Sequence, residues 1–136
     1  MRVRTAAWLI ASSILGLALL GVGSRAAGAA PNGAAIYADR CAICHEASGQ
    51  GIAGTFPPLA GNPHVTVKNP NAVIGVVLYG MPYTDITVKG RRYGGGMPGW
   101  GMPLSNGDIA AVVTYIRSAW GNRASAVTEA QVARLR

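Results

Sequence analysis

"DRCAICHEASGQG", residues 39–51, holds the chain's only two cysteines, Cys41 and Cys44, three positions apart, with His45 directly after the second. Four chemistries use such a triplet: a disulfide, a redox dithiol, part of a zinc site, or a covalent attachment point. A bridge between Cys41 and Cys44 would close a very small loop and stabilise little, and it leaves His45 without a role. A thioredoxin-like dithiol follows an apolar strand inside a βαβ pattern, whereas "GAAIYADRC" (33–41) ahead of the motif reads as a short helix. Structural zinc needs four ligands, and beyond these three only His64 remains, at a separation unlike finger spacing.

The fourth chemistry fits. C-x-x-C-H is the attachment motif for haem c, and "CAICH" matches it letter for letter. On one helical turn Cys41 and Cys44 share a face, so both sulfurs can bond the vinyl groups at one haem edge while His45 is aimed at the iron. Both thiols are then consumed as thioethers, and neither remains a nucleophile.

Working outward, the start of the chain has the layout of a secretory leader. Arg2 and Arg4 precede an apolar run from Ala6 to Gly23, and the small residues Ala27-Gly28-Ala29 follow. Residues 1–29 are therefore expected to be a signal peptide, cut near Ala29, with residues 30–136 as a single domain. The competing reading is a retained membrane anchor, against which the run is short and interrupted by glycine and serine.

Without the leader, Arg2, Arg4 and Arg25 leave the count, so nine basic residues face five acidic ones, a net charge of +4. No basic run with interleaved aromatics appears, which argues against nucleic acid. Fifteen of the 19 glycines fall in residues 30–136, about twice the average usage. With only Phe56, Trp100, Trp120 and five Tyr to supply large rings, a domain this small has a thin core of its own. A bound group is expected to fill it.

Asn32 is a plausible N-cap for the helix over 33–41, which points Ile36 and Tyr37 toward the cysteines. Glycine and proline interrupt "EASGQGIAGTFPPLAGNP" (46–63), a wrapping loop. "NPNAVIGVVLYG" (69–80) reads as a helix with Pro70 at its first position and Gly80 as its stop. In "YTDITVKGRRYGGG" (83–96), Ile86 and Val88 alternate, Lys89-Gly90 can turn, and Arg91 to Tyr93 can return as a short hairpin. Ser105 and Asp108 form a capping box for a helix carrying Ile109, Val112, Val113, Ile116 and Trp120, stopped by Gly121. Thr128 and Gln131 form a second box.

A haem iron held by His45 has a sixth position, for which the candidates are Met81, Met97, Met102 and His64. Each has an ordinary alternative, since methionine commonly fills gaps in apolar cores. Taken together, "GxxIYxxxCxxCH" (33–45), "FPPLAGNP" (56–63) and "GGMPGWGMPLSNGDIAAVVTYIRSAWGN" (95–122) resemble class I c-type cytochromes. They are similar in particular to the single-haem domains that accept electrons in bacterial periplasmic alcohol and sugar-acid dehydrogenases, with similar domains fused to copper nitrite reductases.

The resemblance implies an all-α class I cytochrome c fold of three to five short helices around one covalent haem c and its iron, with first and last helices packed beside it. It implies Met97, in "MPGW", as the second axial ligand, with Met102 in "GMPL" as the alternative. It also implies that Pro57 offers its carbonyl to the ring N–H of His45, and it gives His64 a surface or propionate-side place.

A His/Met iron leaves no open position for substrate, so electron transfer outranks catalysis. The expected function is a periplasmic electron carrier between a dehydrogenase donor and an oxidase or reductase acceptor, touching a membrane only if the leader is retained. A peroxide- or gas-reactive haem enzyme or sensor with a displaceable methionine is the alternative. Lys89, Arg91 and Arg92 lie together and could steer an acidic partner, although a solvated turn is the simpler explanation.

Overall fold

The side-chain oxygen of Asn32 accepts from the amides of Ala34 and Ala35 (3.1 and 3.2 Å) and so starts the first helix, α1 (Gly33–Arg40). The computed structural model describes residues 30–83 and 85–136, so the leader reading, residues 1–29, lies outside the described residues. Cys41 breaks the run, and α2 (Ala42–His45) continues it. After the 46–62 loop come α3 (Pro63–Thr66) and α4 (Asn71–Tyr79). The antiparallel pair β1 (Ile86–Val88) and β2 (Arg91–Tyr93) follows, with Ile86 opposite Tyr93 and Val88 opposite Arg91. The chain closes with α5 (Asn106–Ser118) and α6 (Glu129–Ala133).

The mainly helical class and the hairpin are as expected. The six helices among the described residues exceed three to five because Cys41 splits the first and the one-turn α3 follows the wrapping loop. Two boundaries differ for local reasons. Pro70 occupies the cap position rather than the first turn of α4, with Asn69 accepting from the Asn71 amide at 3.0 Å. α5 ends at Ser118, and Trp120 takes a left-handed φ of 52° outside the helix. That turn lays its indole 4.9 Å from the Tyr37 ring and 5.5 Å from Tyr115, while its N–H donates to the Ala47 carbonyl at 3.0 Å. Tertiary packing of the aromatic outweighs continuing the helix.

α1 and α5 cross so closely that a Cβ on Gly33 would stand 2.1 Å from the Ala111 carbonyl oxygen. The crossing brings Tyr37 to 5.4 Å from Tyr115. Val73, Ile74, Val77 and Leu78 of α4 join Ile109, Val112, Val113 and Ile116 of α5 in one buried cluster with Tyr37 and Val132.

Two polar side chains tie the loops to α5. Arg117, fully buried, donates from Nη1 to the carbonyls of Val65 (2.6 Å) and Val67 (3.0 Å), and from Nε to that of Ser125 (3.0 Å). Asn122 donates to the carbonyls of Leu59 (3.0 Å) and Ile116 (2.6 Å) and accepts from the Gly61 amide (2.8 Å). Buried groups of this kind are stable only when so satisfied.

Candidate haem-binding site

α3, α4 and α5 leave between them a cavity of about 420 Å³ with an apolar wall that includes Leu59, Val65, Val73, Val77, Val112 and Ile116. Cys41, Cys44, His45, Pro57, Met81 and Met97 also line it. The α1–α2 break positions the motif. The amides of Cys44 and His45 both bond the Cys41 carbonyl, at 3.1 and 2.9 Å, so both cysteines and the histidine sit on one turn.

His45 is 8% exposed, and its Nδ1 lies 3.0 Å from the Pro57 carbonyl oxygen. A carbonyl can only accept, so Nδ1 carries the proton and the neutral ring keeps its lone pair on Nε2. Burial pushes the His45 pKa below its ordinary value, and the Pro57 bond opposes this in part. A buried neutral imidazole with its free nitrogen at a cavity wall is a metal-ligand geometry. The wrapping loop holds Pro57 there: the Gly51 amide bonds the His45 carbonyl (3.0 Å), and the amides of Leu59 and Ala60 bond the Gly49 carbonyl (2.8 and 2.9 Å).

Met97 enters from the opposite side of the sequence. Its stretch lies on the end of α4, with the amides of Trp100 and Gly101 donating to the carbonyls of Val77 and Leu78, each at 2.9 Å. Gly80, at φ 78°, makes this approach possible, because a Cβ there would meet the Met97 carbonyl oxygen at 2.3 Å. Arg136 anchors the far side of the stretch through the carbonyls of Gly101 and Leu104 and the Asn106 side chain.

The structure thus brings Cys41, Cys44, His45, Pro57 and Met97 around one cavity. Met102 is 98% exposed, and His64 is exposed on α3; neither lines the cavity. Sequence reasoning passed over Asn62, a buried cavity-lining residue that donates to the Pro58 carbonyl at 2.7 Å and caps α3 through the His64 amide at 2.9 Å. Its "NP" setting, an Asx cap before proline, was the available signal.

These residues fit a haem and not the competing chemistries. Among the described residues no three of His, Cys, Asp and Glu gather in a metal-binding group, which removes zinc. Burial, with the neighbouring Cys44, pushes the Cys41 thiol up to about 11, whereas a redox dithiol needs a lowered value. An apolar wall for the ring, two thiols on one turn to bond its edge, and a neutral imidazole and a soft thioether as iron donors together suit haem c.

Comparison with known proteins agrees. The cytochrome c family model matches residues 30–120. The chain is 43% identical over 107 residues to the cytochrome c subunit of a quinone-dependent alcohol dehydrogenase from Gluconacetobacter polyoxogenes, covering 76% of this chain and 22% of that protein. It is 45% identical over 94 residues to cytochrome c-552 of Thermus thermophilus, 67% of this chain and 70% of the relative. It is 37% identical over 106 residues to the gluconate 2-dehydrogenase cytochrome c subunit of Pantoea cypripedii, at 76% and 24%. The chain spans about a fifth to a quarter of the length of the dehydrogenase subunits it matches. The chain belongs to the cytochrome c family, and it is an electron-transfer protein that carries haem c covalently.

Proposed function

We propose that residues 30–136 form a periplasmic single-haem carrier that takes electrons one at a time from a dehydrogenase and passes them to an oxidase or reductase. Residues 1–29 act as its export leader. In this reading Cys41 and Cys44 would hold the haem as thioethers, His45 and Met97 would ligate its iron, and Pro57 orients His45. One observation carries it: a buried His45, bonded through Nδ1 to Pro57 at 3.0 Å, shares a single apolar cavity with both cysteines and Met97.

When bound, the haem supplies a one-electron iron couple. The chain does the rest. The Pro57 carbonyl fixes the His45 tautomer and raises the basicity of Nε2. The valine and isoleucine wall excludes water. Met97 offers a neutral, soft sulfur, which favours the reduced metal and raises the potential. With His45 and Met97 both committed to the iron, electron exchange would be the chemistry the bound group supplies.

Ile43 lines the cavity yet is 83% exposed, so the cavity reaches the surface beside the attachment turn. A partner docking there needs only a small, short-lived interface. The alcohol and gluconate dehydrogenase subunits among the relatives support a dehydrogenase donor. Arg92 forms an ion pair with Asp85, which lessens the field of the basic hairpin.

The test is capture of the tagged, haem-loaded protein from the periplasm. The isolated complex should contain a dehydrogenase whose substrate reduces the haem, and the ferrous protein should bind carbon monoxide poorly. Recovery from the cytoplasm, or ready carbon monoxide binding with peroxide turnover, would overturn the reading.

A further inference from the structure

The cavity holds two thioethers, not one. Met81 and Met97 face each other across an isolated antiparallel bridge, in which the Met81 amide donates to the Met97 carbonyl at 2.8 Å and the Met97 amide to the Met81 carbonyl at 2.9 Å. Residues that exchange both bonds stand directly opposite, with their side chains on the same face of the ladder and Cβ atoms roughly 5 Å apart. Both methionines line the cavity that also holds His45. Met102, by contrast, is 98% exposed.

Met97 packs against the buried cluster, and Met81 is half-buried at the rim after Gly80. A methionine has three rotatable bonds and a polarisable sulfur, so two side chains springing from opposed positions of one bridge can address the same point. Ligation by either is chemically equivalent: each sulfur is neutral, carries a lone pair, and exchanges no proton or electron when it replaces the other.

We propose that Met81 is a second iron-binding thioether, which takes the axial position when Met97 is displaced or removed. The inference rests on the reading above that Met97 is the resident ligand. The bridge keeps the substitute within reach because the two backbones are bonded to each other rather than to separate elements. The built-in spare keeps the iron sulfur-ligated and closed to small external ligands.

The haem-loaded protein tests this through Met97→Leu, Met81→Leu and the double variant. Leucine conserves volume closely enough to be tolerated in a core. The readouts are the weak sulfur-to-iron band at the red end of the ferric spectrum and the ring-current-shifted methyl signal of a ligated methionine in the ferrous state. Met97→Leu is expected to keep both, the double variant to lose both, and Met81→Leu to match the unsubstituted protein. Met97→Ala, which leaves space rather than filling it, must give the same pair of signals as Met97→Leu. Imidazole should bind the ferric double variant at least tenfold more tightly than the ferric Met97→Leu protein.

Loss of the sulfur band in Met97→Leu, with imidazole affinity equal to that of the double variant, would overturn the inference while leaving Met97 as the ligand. A methyl signal that vanishes in Met81→Leu alone would instead overturn the assignment of Met97, and the reserve role with it.

Discussion

His45 shows how one hydrogen bond and the loss of water around a ring decide a residue's chemistry. Its ring is held below its ordinary pKa of 6.5 chiefly by burial. As pH falls through 6.5 the unfolded chain takes up a proton that the folded ring refuses, so this residue's contribution is complete above that value and declines below it. Iron ligation needs the same neutral ring and acts in the same direction. Urea midpoints are therefore expected to be flat from pH 7 to 8 and to fall between pH 6.5 and 5; midpoints that rise on acidification would contradict this. Arg117 makes the opposite point about legibility. Its guanidinium bonds carbonyls of Val65, Val67 and Ser125, the first lying 52 positions away in the chain, and no local pattern in "TYIRSAW" announces it. Arg117→Leu leaves those carbonyls without their donor and should cost roughly 3 kcal/mol. Thermal unfolding should move down by on the order of 10 °C, and an unchanged Tm would show the bonds to be incidental. The turn bearing Cys41, Cys44 and His45 was legible because its residues are contiguous, whereas the Pro57 contact to His45 was expected only from the family resemblance, 12 positions away.

At the scale of elements, boundaries set by local chemistry were legible, such as the Asn32 and Ser105 caps and the Gly80 stop, and those set by tertiary packing were not. Ser105 and Asp108 exchange the two bonds of a capping box, with the Asp108 amide 3.1 Å from the Ser105 hydroxyl and the Ser105 amide 3.0 Å from the Asp108 carboxylate. All of that lies within four residues, so sequence shows it. Ser105→Ala should cost about 1 kcal/mol. The end of α5 depends on where Trp120 finds Tyr37, and the close crossing of α1 on α5 depends on Gly33 meeting Ala111; neither fact is local. Gly33→Ala places a methyl 2.1 Å from the Ala111 carbonyl oxygen, which backbone cannot yield cheaply. We expect it to cost more than Ser105→Ala, by roughly 1–2 kcal/mol, in paired urea titrations. Equal midpoints for the two variants would mean that the helices slide apart without penalty.

For the molecule as a whole, the thin core inferred from composition and the cavity of about 420 Å³ are one fact. Val65, Val73, Val77, Val112 and Ile116 reach into the same space from three helices, and a flat apolar group gives them a common surface to pack on. A chain with Cys41 and Cys44 both replaced by serine is expected to lose most of its helical circular dichroism, and a native-like spectrum without haem would contradict that dependence. Sequence told that something fills the core but not the shape of the space. That shape is set by the lie of the 97–101 stretch on α4 and by the pinning of the 59–61 loop by Asn122.

Every role proposed for these residues depends on haem c being bonded to both sulfurs of the turn bearing His45. Mass spectrometry of the denatured, protease-digested protein tests it most directly. The expected product is a Cys41–His45 peptide carrying the mass of one haem, with both thiols blocked to alkylation. The same peptide recovered colourless with two free, alkylatable thiols would contradict it.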